Sequence, residues 1–148
     1  MPRVPDPSID ALSRVARLVG DRWSMLVLAA LAAGGRRYGE LAAEVPGIST
    51  NVLAGRLAAL AEAGLIVGEP YSPRPDRLRY ELTADGRALV DALMALAAWG
   101  AERAPRGEEE GALRHAACGT PLEVRWHCPA CDVDVDPWDE AAPGVFHA

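Results

Sequence analysis

The sequence predicts an α+β fold, and three observations carry the prediction. Between residues 38 and 63 two apolar stripes at helical spacing are separated by Pro46-Gly47, a pair that breaks a helix. Beyond Gly64, residues 65–69 and 78–82 have strand character and flank PYSPRPDR, whose prolines cannot join a hydrogen-bonded ladder. Further helical patterns stand on both sides of this block. A short helix, a tight turn, a longer helix and a stiff-tipped hairpin make up a winged helix-turn-helix.

Each element has a local cause. In a first helix, 8–19, Ile9, Leu12, Val15, Ala16 and Val19 share one face; Ser8 or Asp6 can cap it, and Gly20 ends it. A second helix, 22–33, turns Trp23, Leu26, Val27, Ala30 and Leu31 inward. It is apolar nearly all round, as the buried centre of a small domain is. Residues 38–45 form a short helix with Leu41, Ala42 and Val45 inward, and Ile48 plugs the turn after it. Ser49 caps the helix 50–63, whose inner stripe is Leu53, Leu57, Leu60 and Ala61. Its other side shows Thr50, Asn51, Ala54, Gly55 and Ala58, with Arg56 on a flank, and Gly64 closes it as a C′ glycine.

Thr83 caps a last helix that runs to about residue 99, with Asp85 in its first turn. Leu89, Leu93, Leu96 and Trp99 form a seam that Val90, Met94 and Ala97 widen. The first and last helices therefore carry more apolar surface than edge helices of so small a domain can hide. That excess predicts a homodimer joined through these flanking dimerisation helices. By composition residues 104–111, APRGEEEG, are a linker. The chain is thus expected to divide into a winged-helix domain over 1–103 and a small unit over 112–148.

Charge is distributed unevenly. The formal net charge is -6, yet residues 1–106 hold 13 Arg against 12 Asp/Glu, while residues 107–148 hold 2 Arg against 9 Asp/Glu. The acidity belongs to the tail, and the front part is free to carry a local basic patch. The longest apolar run, 25–33, is nine residues, too short to cross a bilayer. The N-terminus lacks an apolar signal core, so a cytoplasmic protein is expected. No P-loop, GxSxG, HExxH or GxGxxG motif is present, which argues against an enzyme.

A helix fits the major groove and reads base edges with its first residues. Here those are Ser49, Thr50 and Asn51, with Arg56 further along. Asn and Arg carry the donors and acceptors that recognise adenine and guanine, and Ser and Thr can hold phosphates. Arg74, Arg77 and Arg79 on or beside the hairpin loop would meet the backbone or the adjacent minor groove. Double-stranded DNA is the expected partner.

The tail carries a second pattern. His115-x2-Cys118 and Cys128-x2-Cys131, nine residues apart, are two ligand pairs at knuckle spacing. A segment with few aliphatics cannot build its own core, so a small zinc ribbon with four protein ligands and a structural zinc ion is expected. His127 competes with His115 as the fourth ligand, but it directly precedes Cys128 and would strain the geometry. Asp132, Asp134 and Asp136 read as the solvated face of an edge strand.

The order and spacing of Asp21-Arg22-Trp23, Arg37-Tyr38-Gly39-Glu40-Leu41, Pro46-Gly47-Ile48-Ser49, Leu53 with Arg56-Leu57, Gly64-Leu65, Tyr71 with Pro75, Tyr80-Glu81-Leu82-Thr83 with Gly86-Arg87, and Trp99-Gly100 resemble the HxlR-type winged-helix regulators, relatives of the MarR type. The likeness covers about residues 9–100. It implies a homodimeric bacterial transcription factor that binds an inverted-repeat operator. Redox sensors of that family use a cysteine at the start of the first helix; counting back from Trp23, this chain has Asp10 there, and no cysteine precedes Cys118. Sensing by that thiol is unavailable, and a small-molecule effector is a candidate input. The expected function is sequence-specific DNA binding, in the sense of repression. The alternative is a protein-interaction adaptor that uses the winged helix and an acidic zinc ribbon without binding DNA.

Overall fold

The computed structural model describes residues 7–73, 77–105 and 113–135. The capping of the first helix by Asp6 or Ser8, the wing residue Arg74 and the final aspartate Asp136 lie outside what is described. Helices α1 (Pro7–Val19) and α2 (Arg22–Ala32) are followed by a two-residue strand β1 (Arg36–Arg37), then by α3 (Tyr38–Glu44) and α4 (Thr50–Glu62). Strands β2 (Ile66–Pro70) and β3 (Leu78–Leu82) lead into the long α5 (Ala84–Ala101), and the tail holds β4 (Trp126–Cys128) and β5 (Val133–Val135). This is the expected α+β winged helix-turn-helix, with a small β-hairpin near the C-terminus.

The core gathers around α2. Val27, Leu28 and Leu31 of α2 pack with Leu41 and Val45, with Leu53, Leu57 and Leu60 of α4, and with Ile66 and Val90, all buried. Leu26, expected inward, is partly exposed, and Leu28 takes a core place instead. The α2 helix is apolar nearly all round, so its pattern does not fix which face the neighbours cover.

The sheet has the order β1-β3-β2 and is antiparallel throughout. Tyr80 of β3 stands between Arg36 of β1 and Gly68 of β2. Strand β1 has no counterpart among the sequence expectations, because two arginines carry no strand pattern; pairing with Arg79 and Tyr80 makes them a strand. Strand β2 runs one residue further than expected, to Pro70, which an edge strand tolerates at its end.

Two glycines fix the joints. The Gly64 N–H donates to the Ala61 carbonyl at 3.0 Å and the Leu65 N–H to the Leu60 carbonyl at 3.0 Å, while Gly64 has φ 74°. That is a Schellman closure of α4, with Leu60 and Leu65 both buried beside it. At the start of α5 the Thr83 side chain accepts from the Gly86 N–H at 3.1 Å and donates to the Gly64 carbonyl at 2.6 Å. A Cβ on Gly86 would lie 1.9 Å from the Leu65 oxygen, so only glycine lets α5 approach this closely.

The outer helices keep the apolar excess foreseen from their sequences. Among the described side chains of α1 only Val19 is buried, and Leu12 is 65 % exposed. On α5, Trp99 is 57 % exposed and Leu96 is also open. Between α2 and α5 lies an apolar groove of about 290 Å³, lined by Met25, Leu26, Leu93, Met94 and Leu96, with Arg22 as its charged member. Among the described residues no helix is long and apolar enough to cross a membrane.

Candidate nucleic-acid interface

The recognition element is α4, and its placement begins in the turn before it. Gly47 has φ 77°, the left-handed conformation that turns the chain sharply after Pro46. The Ser49 hydroxyl oxygen accepts from the Val52 N–H at 3.3 Å, which caps α4 and leaves the hydroxyl proton to donate outward. The Tyr38 hydroxyl donates to the Thr50 carbonyl at 2.7 Å and ties α3 to the first turn of α4. Leu53, Leu57 and Leu60 anchor the helix in the core. Ser49, Thr50, Asn51, Ala54, Gly55 and Ala58 are exposed, as the pattern predicts. Ala61 is exposed too, against expectation, because the three leucines already fill the contact with α2.

Arg56 is engaged inside the chain. Its guanidinium meets Asp21 Oδ2 at 3.2 Å, while Asp21 Oδ1 accepts from the Trp23 and Ser24 N–H groups at 3.0 Å each. Asp21 thus caps α2 and holds α4 through one carboxylate. Burial pushes its carboxyl up, but the Ser24 N–H, the Arg56 charge and the Trp23 N–H outweigh this and leave it below its ordinary value. Sequence reasoning offered Arg56 as a possible base reader and did not foresee its contact with Asp21, since no local pattern announces a contact across 35 positions.

The wing is formed by β2, β3 and their loop. The Tyr71 N–H donates to the Arg77 carbonyl at 3.1 Å at its described base. Arg77 is exposed and, among the described residues, makes no ion pair. Arg79 Nε contacts Glu81 at 3.3 Å, so part of its charge is offset. Arg37, which sequence reasoning did not single out, lies with its guanidinium 4.3 Å from the Tyr71 ring centre and is exposed beside the wing. Arg36 is paired with Glu44 at 2.7 Å.

The tail places its candidate ligands in two separate pairs. His115 Nδ1 and Cys118 Sγ stand 3.2 Å apart, and the Cys128 and Cys131 thiols lie near enough to influence each other. Among the described residues no three His, Cys, Asp or Glu side chains gather as a group able to hold a metal ion. The four residues expected to hold zinc are therefore not brought together as one group here. Hydrogen bonds from Thr120, then His115, hold the Cys118 thiol below its ordinary value, and the Cys131 and Ala130 N–H groups do the same for Cys128. Cys131 is pushed up by the neighbouring Cys128. The rival ligand His127 is occupied with carboxylates, its Nδ1 3.2 Å from Asp134 and its Nε2 3.5 Å from Asp132. Asp134 also accepts from Arg125 at 3.0 Å, so the aspartate of β5 pairs across the hairpin.

An exposed, capped helix behind a tight turn, flanked by a basic hairpin, defines a winged helix-turn-helix protein of the DNA-binding class. The HxlR-like helix-turn-helix family matches residues 18–108, more than half of the chain, and the chain belongs to that family. It is 39% identical over 127 residues to the uncharacterized HTH-type transcriptional regulator Rv3095 of Mycobacterium tuberculosis, covering 85% of this chain and 80% of the relative. Among solved structures it resembles the transcription-factor candidate PA1607, with TM-score 0.71 and 29% identity over 84% of this chain and 87% of that one. It also resembles the regulator candidate ytfH from Salmonella typhimurium, with TM-score 0.54 and 34% identity over 60% and 79% of the two chains. The protein is a helix-turn-helix transcriptional regulator and not an enzyme.

Proposed function

We propose that the protein is a repressor that binds an inverted-repeat operator as a homodimer. The observation that carries this is the first turn of α4: Ser49, Thr50 and Asn51 are exposed together at the end of a helix whose opposite face is locked into the core. Such an end enters a major groove without disturbing the fold. Asn51 reads a base edge, Ser49 and Thr50 hold phosphates, and Arg77 with Arg37 meets the flanking backbone. Two copies joined through α1 and α5 would present two such helices to successive grooves.

The test is selection of bound sequences from a random duplex pool by the full chain, followed by gel shift on the winners. An enriched inverted repeat is expected, and a reporter carrying it should fall in output when the protein is present. Failure to enrich any sequence at moderate salt would favour the adaptor reading, in which the acidic tail is the contact surface.

A further inference from the structure

The tail holds ordered turns that no burial sustains. Over the described residues 113–135 none is buried, and Leu122, Val124, Trp126 and Val133 are all exposed. A segment this small without a core is fixed by a cross-link or an ion. Its two turns share one backbone form. In His115-Ala116-Ala117-Cys118-Gly119 the Gly119 N–H donates to the His115 carbonyl at 2.8 Å, and Gly119 has φ 71°. In Cys128-Pro129-Ala130-Cys131-Asp132 the Asp132 N–H donates to the Cys128 carbonyl at 2.8 Å, and Asp132 has φ 54°. Among the described residues Asp132 is the one non-glycine with positive φ, a conformation that costs on the order of 1–2 kcal/mol and persists where the turn is needed.

In the first turn the His115 and Cys118 side chains face each other, and in the second the Cys128 and Cys131 thiols lie near enough to influence each other. The 3.2 Å between His115 Nδ1 and Cys118 Sγ compares with roughly 3.5 Å between two such donors on one tetrahedral zinc ion. The nine residues between Cys118 and Cys128 allow an out-and-back path that ends with both turns together.

We propose that the two turns close on one zinc ion, with His115 Nδ1 and the sulfurs of Cys118, Cys128 and Cys131 as its four ligands. The three thiols give up their protons to solvent as they bind, and the neutral imidazole binds through its lone pair. Four protein donors leave no open position, so the site fastens the tail and does no chemistry. Sulfur with imidazole selects zinc over magnesium or calcium. His127 stays with its aspartates.

The experiment is native mass spectrometry of the full reduced chain after addition of zinc chloride and removal of excess, with cobalt(II) as a spectroscopic substitute. One zinc per chain is expected, and the cobalt form should show tetrahedral d–d bands with thiolate charge transfer. Cys118→Ser and Cys128→Ser should each lose the ion, whereas His127→Ala should keep it. Circular dichroism of the helical part shows that each variant stays folded. A chain that takes up no zinc, a Cys128→Ser/Cys131→Ser variant that still holds one, or a His127→Ala variant that loses it would overturn the proposal. So would a Cys128–Cys131 disulfide forming with no metal bound at any stage. Gel shift on the selected duplex is read separately. A specific shift without zinc sinks only the metal site, and zinc without a shift sinks only the repressor reading.

Discussion

Asp21 shows how one carboxylate can organise a recognition domain. One oxygen caps α2 and the other holds Arg56 of α4, so the central helix and the reading helix are joined at a single side chain. Asp21→Ala should cost about 1 kcal/mol of stability from the lost cap, measured by chemical denaturation. Its pH dependence follows from its lowered carboxyl. A group depressed on folding stabilises above its unfolded value and loses that contribution as pH falls through its folded value. The contribution is therefore intact at neutral pH and lost below its ordinary value near 3.8, and the acid limb of a stability profile should flatten in Asp21→Ala. Asn51 has the opposite character, because it is exposed and among the described residues its amide makes no hydrogen bond within the fold. Asn51→Ala should leave stability within about 0.5 kcal/mol. It should erase about 1–3 kcal/mol of discrimination at one base pair in each half-site, read by competition gel shift with single-base variants of the selected duplex.

At the scale of elements, the helix-turn-helix and the wing were legible because their signals are local. Pro46-Gly47, the Ser49 cap, the leucines of α4 and the prolines of the wing each act within a few residues of themselves. What the sequence concealed is long-range. Strand β1 exists through pairing with β3, Tyr38 reaches Thr50, and Arg56 turns to Asp21 because α2 happens to lie there. The sequence marked two candidate ligand pairs in the tail, yet the shared form of its turns appears only in the backbone hydrogen bonds. A close joint between elements is the approach of α5 to the end of α4. Gly86→Ala puts a methyl group against the Leu65 carbonyl, and the backbone must shift. A loss of about 1–3 kcal/mol is expected, seen as a lower denaturation midpoint. In the wing, Arg77→Ala should weaken binding to all duplexes alike and reduce the slope of log affinity against log salt by about 1. An unchanged slope would remove Arg77 from the interface.

For the whole molecule the decisive question is what covers the outer helices. The α1 helix turns Ile9, Leu12 and Leu18 to solvent, and α5 does the same with Leu96 and Trp99. Large side chains left open on two neighbouring flanks of one domain are costly in water, at about 25 cal/mol for each Å² that a partner could cover. A second copy, as proposed, would supply that cover symmetrically and give the DNA-reading surface its partner. The prediction is that the full chain sediments as a dimer, and that Leu12→Asp with Trp99→Glu yields a folded monomer. Those side chains lie outside the core, so circular dichroism and the denaturation midpoint should change little. Operator affinity should fall by roughly 10²–10⁴, because each half-site must then be bound without the other. Binding to a single half-site duplex should persist, since Ser49, Thr50, Asn51 and Arg77 are untouched. If the double variant still sediments as a dimer, α1 and α5 are not the joint. If it is monomeric yet binds the inverted repeat as tightly as the parent, paired helices are not how this protein reads DNA.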